Sequence, residues 1–561
     1  MVYQIYPRSF ADTDGDGVGD LAGIDAHLDH LVDLGVDAIW LSPVYSSPMS
    51  DMGYDISDYE SIDPLFGTMA QFDTLLQNIH RRGLKLLMDL VVNHTSDQHP
   101  WFVESRSGRD NPKRDWYWWR DPRPGAIAGE PGAEPNNWGS FFSGSVWNLD
   151  PATGQYYLHL FAPGQPDLNW ENPDVRQAVY AMMNRWLDRG VDGFRMDVIN
   201  MISKDPRLPD GRVTSTPYAD GSASYPGGAR LNEFLAEMNR EVFAHRHAVF
   251  LTVGETPGVT VDEARVYTDP ANHEIDMVFQ FEHVGLDRGG SKFDITPLRL
   301  LDLKASLGHW QTGLAQVGWN SLYWDNHDQP RAVSRFGDDG EFRVPAAKML
   351  ATVLHLQRGT PYVYQGEEIG MTNTVFSDIG DFRDIESINH YREAVSLGMD
   401  PAAVIAAMAP ASRDNARTPM PWNAGPGAGF STGTPWIGLN PNYRTINVAD
   451  AVADPESVFH HYRQLIALRH AEPVVVSGDF TMLLPSDEQI FAYLRRLDTA
   501  AGTVELLVLG NFSGAPADAG AIPDAAAWAL AEVVSGTADP AGGLALGPWA
   551  GRAHRRVLHS G

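Results

Sequence analysis

The chain has 561 residues, 42 Lys+Arg against 72 Asp+Glu for a formal net charge of −30, and no cysteine. At ~150 residues per domain that is about three domains of chain, and an apolar share of 43% is enough to build cores. The acidic surface repels phosphate backbones and anionic lipid, so neither nucleic acid nor a membrane is an expected partner. The missing thiols exclude disulfides, thiolate metal sites and a cysteine nucleophile.

Met1 leads straight into the strand-like run Val2-Tyr-Gln-Ile-Tyr6, which hints at native residues upstream. With no secretory leader in this sequence and no apolar run of the ~18 residues a spanning helix needs, the expected location is the cytoplasm. A repeated unit then begins. Leu21, Ile24, Leu28, Leu31 and Leu34 line one helical face, Gly35 ends the helix, and Asp37–Leu41 reads as a strand. Phe72, Leu75, Leu76 and Ile79 repeat the pattern, with Gly83 and the run Leu84–Val92 behind them. A stretch rich in Trp, Pro, Gly and Asn follows, from Asn93 to Asn169. The unit returns with Val175, Val179, Met182, Trp186, Gly190 and Val191–Asp197. Further strand-like runs are Val249–Gly254, Asp276–Phe281, Trp319–Trp324 and Pro361–Tyr364. After Pro473 the pattern changes to short alternating runs such as Val504–Leu509.

Eight strands alternating with helices predict an α/β fold, a (β/α)8 TIM barrel at 1–92 and 170–472. A small lobe at 93–169 is inserted after strand 3, and a second insertion at about 371–447 follows strand 8. A C-terminal antiparallel β domain occupies 473–561. An open doubly wound sheet is the alternative. Polar residues clustered just after the strands favour the barrel, which builds its site there.

Four of those strand ends carry acids or imidazoles: Asp89, Asn93 and His94; Arg195 and Asp197; Glu255; and Asp325, His327 and Asp328. Any one of them could be a satisfied supporting group, but four ends together point to a catalytic mouth. Glycosidic hydrolysis needs two carboxyl groups, about 5–5.5 Å apart for retention and ~6.5–9.5 Å for inversion.

These segments resemble the motifs of the α-amylase superfamily, glycoside hydrolase family 13, in the same order. Val2–Phe10, Gln165-Pro-Asp-Leu-Asn-Trp170 and Gln365-Gly-Glu-Glu-Ile-Gly370 look like its oligo-1,6-glucosidase and α-glucosidase branch. The resemblance implies Asp197 as nucleophile, Glu255 as general acid then base, and Asp328 as the carboxylate that grips sugar hydroxyls. Arg195 would keep Asp197 ionised, His94 and His327 would bind the same hydroxyls, and Asp89 and Asn93 would shape the floor. It also implies a chain-end pocket closed by Asp51 and Arg413, with Arg417 nearby, Tyr54 as platform, and Phe142 and Phe161 as walls. In this branch a valine after the nucleophile, here Val198, accompanies α-1,6 preference. The expected substrate is a small neutral oligosaccharide, and no organic cofactor is needed. Rivals on the same site are transglucosylation, an α-1,4 or sucrose preference, and isomerisation. Isomerisation is disfavoured because Gly285 stands where the first arginine of the isomerase loop belongs before Arg288. A non-catalytic transporter-subunit-like role is weaker still, because the three carboxylates are present.

Asp12-Thr-Asp14-Gly-Asp16-Gly-Val18-Gly-Asp20 begins like an EF-hand loop but has Gly23 where the bidentate Glu belongs. The family branch implies a structural Ca²⁺ here, held by Asp12, Asp14, Asp16, Asp20 and the Val18 carbonyl, with Mg²⁺ as the alternative. Trp116–Trp119 and Trp138 read as packing within the lobe. The triplets at Asn93 and Asn511 read as chance matches to a glycosylation signal.

Overall fold

A computed structural model describes residues 1–214, 218–536 and 543–559. Residues 537–542 and 560–561, part of the expected C-terminal domain, lie outside the described residues.

Eight parallel strands form the central sheet: β1 (Val2–Ile5), β2 (Ala38–Leu41), β3 (Lys85–Val91), β4 (Gly193–Asp197), β5 (Leu251–Glu255), β6 (Met277–Phe279), β7 (Ser321–Leu322) and β8 (Thr360–Tyr364). β1 to β6 pair in sequence, β1 also pairs with β8, and β8 with β7. A parallel bridge from Val278 to Asn320 joins β6 to the approach of β7 and closes the ring. The open sheet is therefore excluded. β3, β4 and β5 are buried along almost their whole length, as a barrel packed inside and out requires.

Glycine ends the helices as expected: Gly35 (φ +94°) follows Leu28–Leu34, and Gly190 (φ +112°) follows Pro173–Arg189. One helix differs. The apolar face from Leu21 to Leu34 spans two helices, Leu21–Ala26 and Leu28–Leu34, broken at His27 (φ −113°, ψ +11°). The His27 ring bonds back to the Gly23 carbonyl at 2.8 Å and lies 3.8 Å from the Trp422 ring, contacts that hydrophobic spacing does not register. β6 and β7 are also shorter than their apolar runs: Met277–Phe279 pair with β5 and Ser321–Leu322 with β8, while the Val278–Asn320 bridge joins β6 to the approach of β7.

Between β3 and β4 lies a lobe with its own three-stranded antiparallel sheet, Trp119–Arg120, Gln155–Leu158 and Trp147–Asp150. Its buried cluster holds Trp118, Trp138, Trp147 and Tyr156, so these indoles pack rather than stack on sugar. Beyond β8 the chain forms the helices Ile385–Ser396, Pro401–Met408 and Asp414–Arg417, the last of which brings Arg417 to Asp328 after β7. The C-terminal sheet is antiparallel: β9 (Asp479–Leu483), β10 (Ile490–Thr499), β11 (Gly502–Asn511), β12 (Glu532–Ser535) and β13 (Gly551–Leu558), in the order 9-10-11-13-12. It lies against the barrel helix Arg343–His355 so closely that a Cβ on Gly551 would stand 2.8 Å from the Met349 Cα. No helix among the described residues is long and apolar enough to cross a membrane.

Candidate active site

Strands β3, β4 and β5 end side by side, and each delivers an acid. Asp197 is the last residue of β4 and Glu255 the last of β5, while Asp89 lies within β3 opposite Arg195. Arg195, two residues before Asp197 on the same face of β4, is 1% exposed and reaches all three. Its Nη1 donates to Asp197 Oδ1 at 2.6 Å and to Asp89 Oδ1 at 2.9 Å, and its Nη2 lies 2.6 Å from Glu255 Oε2. One guanidinium thus joins the carboxyl groups of 197 and 255, each at 2.6 Å from one of its two terminal nitrogens. Two carboxyl groups held by one guanidinium face a single mouth, the arrangement that attack and protonation across one sugar require.

Their charge states differ. Burial pushes Glu255 up to about 8, Arg195 opposes, and the negative Asp197 and Asp328 reinforce the rise, so Glu255 holds its proton at neutral pH. Burial also raises Asp197, to about 6, against the pull of Arg195, which leaves it ionised at pH 7. Burial opposes ionisation of Asp328 too, but His327, Arg413 and Arg417 hold it well below the usual carboxylate range. His327 is itself neutral, pushed by burial down to about 3, so the guanidiniums are the charges that act on Asp328.

The remaining expected site residues converge on the same mouth. Arg413 Nη2 lies 3.1 Å from Asp51 Oδ1 and its Nη1 lies 3.1 Å from Asp328 Oδ1; Arg417 Nη2 donates to the same Asp328 oxygen at 2.8 Å. The Arg413 guanidinium sits 4.9 Å from the Phe142 ring, which in turn lies 5.5 Å from Phe161. Tyr54 donates to Asp89 at 2.9 Å and stacks on His327 with 5.1 Å between centroids. His327 takes a hydrogen bond on Nδ1 from Gln4 at 2.8 Å. His94, lowered by burial to about 4 and therefore neutral, contacts the Tyr54 carbonyl at 3.1 Å and the Phe161 ring at 5.1 Å. Val198 is 6% exposed and belongs to the buried cluster of the lobe. Asn93 and Asn511 are fully buried, which fits chance matches to the glycosylation triplet.

Five groups were not singled out from the sequence. Asp384, fully buried, caps the helix Ile385–Ser396 and holds Arg413; Glu386 reaches Arg413 at 3.5 Å, and Lys292 pairs with Glu386. Asp384-Ile-Glu386 ahead of a helical run was the available signal, but it reads as an ordinary helix start. Gln165 donates to Asp51 at 3.1 Å. Lys204 is 1% exposed, its ammonium caged by Asn93 Oδ1 at 2.8 Å, Met201 O at 2.7 Å and Asp167 Oδ2 at 2.9 Å. It ties the lobe to the ends of β3 and β4.

In the acidic loop, carboxylate oxygens of Asp12, Asp14 and Asp20 lie within 4.8 Å of one another. Asp16 is not in that group; its carboxylate instead accepts the Val18 N–H at 2.7 Å. Asp12 also accepts from Ser431 Oγ at 2.5 Å, and Trp436 N–H donates to the Gly17 carbonyl at 3.0 Å, so the loop is pinned to the second insertion.

Comparison with known proteins gives one consistent neighbourhood. Residues 4–478 match the model of the alpha amylase catalytic domain. The oligo-1,6-glucosidase of Parageobacillus thermoglucosidasius is 59% identical over 516 residues, covering 91% of this chain and 90% of that protein. The crystal structure of Bacillus licheniformis trehalose-6-phosphate hydrolase superposes with a TM-score of 0.90 at 46% identity, covering 99% of both chains. That of the trehalulose synthase from Pseudomonas mesoacidophila gives 0.90 at 41%, covering 99% of this chain and 98% of the other.

Proposed function

The chain belongs to the α-amylase family of glycoside hydrolases, and from that premise we propose that it is a retaining, exo-acting α-glucosidase. Its substrates are isomaltose and short isomalto-oligosaccharides, from which it releases terminal α-1,6-linked glucose. The observation that carries this reading is the placing of Asp197 and Glu255 at the ends of neighbouring strands, both held at 2.6 Å by Arg195. Burial raises Glu255 further than Asp197, which suits one to give a proton and the other to attack. Asp197 attacks the anomeric carbon while Glu255 protonates the departing oxygen, giving a covalent glucosyl ester. Glu255, now a carboxylate, then takes a proton from water as the water attacks the same carbon, and Asp197 leaves unchanged. Asp328 and the neutral His94 and His327 bind the hydroxyls of the terminal glucose. The positive charge that builds on the sugar ring is met by Asp197 and Asp328. The Asp51–Arg413 pair blocks the far end of the pocket, so only a chain terminus enters.

Linkage preference is assigned to Val198, an apolar group offering no hydroxyl on the acceptor side. Rates on isomaltose, maltose and sucrose test it, with products analysed at high substrate concentration. Wild type is expected to favour isomaltose and release mostly free glucose, and Val198→Thr to raise the maltose-to-isomaltose ratio by about tenfold, the scale of one lost or gained group contact. A wild-type preference for maltose, or mainly longer or rearranged sugars, overturns the assignment in favour of an α-1,4 enzyme, a transglucosylase or an isomerase.

The acidic loop is assigned to a structural Ca²⁺ held by Asp12, Asp14, Asp16 and Asp20 with the Val18 carbonyl. Three clustered carboxylates and glycine-permitted turns suit a hard cation. Chelation is expected to lower the midpoint of thermal unfolding by about 2–5 °C, with recovery on adding Ca²⁺. An unchanged midpoint removes the cation from the account.

A further inference from the structure

Val198, directly after Asp197, has φ +35° and ψ +42°. This is the left-handed region, which costs a β-branched residue most and persists only where the surroundings impose it. Two contacts accompany the strain. The Val198 N–H donates to Glu255 Oε2 at 3.0 Å. Its side chain is buried in one hydrophobic cluster with Trp118, Trp138 and Val146 of the inserted lobe and Met201 just beyond β4.

We propose that the lobe, gripping the Val198 side chain, forces the main chain into this turn and thereby aims the Val198 N–H at Glu255. Val198 is then a positioning residue for the acid/base, acting through its backbone. The inference rests on the role given to Glu255 above. A main-chain donor suits that role because it neither titrates nor changes rotamer. It favours the carboxylate form of Glu255, the form needed when water is activated, and so opposes burial and the charges of Asp197 and Asp328. The other groups facing Glu255 are Arg195 and Tyr323. The arrangement also explains a left-handed valine where glycine would be easier. The strain is tolerated because the side chain is the handle by which the lobe sets the turn.

Two substitutions separate this from simple packing. Glycine enters the left-handed region freely, so Val198→Gly keeps the turn without the handle. Alanine has neither handle nor glycine's freedom, so Val198→Ala relaxes and swings the N–H away. A packing role alone would make glycine the worse replacement. The expected result is the reverse order. Val198→Ala loses about tenfold in kcat/KM on isomaltose, and the alkaline limb of its pH profile moves up by about one unit. Val198→Gly shares with Val198→Ala any isomaltose preference lost with the valine side chain, but falls less in kcat/KM and keeps the wild-type alkaline limb. On p-nitrophenyl α-glucoside, whose leaving group needs little protonation, both variants change less. The Glu255 carboxyl band in infrared difference spectra against Glu255→Gln reads the same titration without turnover. Wild-type titration in both variants, or glycine worse than alanine in parallel on both substrates, overturns the proposal. A wild type inert on both sugars, with the infrared shift intact, instead sinks the α-glucosidase reading and leaves the backbone assignment standing.

Discussion

Replacing Asp197 by Asn is expected to cut kcat on isomaltose by roughly 10⁴- to 10⁶-fold, the range seen when a nucleophile is removed, with the fold retained. The amide is nearly the same size and cannot attack. Arg195 keeps Asp89 at 2.9 Å and Glu255 at 2.6 Å, so the junction is not left as an unpaired buried charge. Removing Asp197 also removes a charge that raises Glu255, so the Glu255 pKa should fall. In wild type the sign of the pH dependence follows from the two groups. Activity falls as acid protonates Asp197 through about 6, and falls again as Glu255 loses its proton through about 8. Circular dichroism and single-turnover kinetics check the variant, and a pH–rate profile checks the limbs. Hydrolysis by Asp197→Asn at near the wild-type rate would falsify the nucleophile assignment.

Arg413→Ala is expected to be the most damaging single change outside the strand ends. Its guanidinium serves Asp51, Asp328, Asp384 and Glu386 together and lies over Phe142. Deleting it leaves Asp51 buried without its paired cation and Asp384 with only Arg417 at 3.9 Å, and breaking such a buried pair costs about 3–5 kcal/mol. It also lets Asp51, which burial already raises to about 6, gain a proton more easily. The wall that blocks the pocket then loses its charge and its shape, and kcat/KM for isomaltose should drop by roughly 10²- to 10³-fold. Urea titration reads the first effect and steady-state kinetics the second. A variant as stable and as active as wild type would reduce the pair to a surface contact.

The barrel was legible because helices, glycine stops and apolar runs repeat at fixed periods, and Asp197 and Glu255 end strands that the pattern locates. Asp51 and Arg413, far apart in sequence, came only with the family motifs. What escaped has no periodic signature. Asp384 looks like any helix cap, and only the fold of the second insertion turns it toward Arg413. Lys204 escaped because lysine is normally a surface residue, and its oxygen cage is assembled from three separate segments. The break at His27 depends on Trp422, nearly the whole barrel away in sequence. The left-handed valine escaped for a similar reason. Nothing local predicts strain that a distant lobe imposes.

The shared guanidinium has a further consequence. Esterification of Asp197 erases a negative charge that Arg195 had balanced, and leaves the guanidinium to Asp89 and Glu255. Glu255 becomes a stronger acid at the moment it has delivered its proton. The same side chain can therefore serve both half-reactions without moving, its switch thrown by the making and breaking of the bond to sugar.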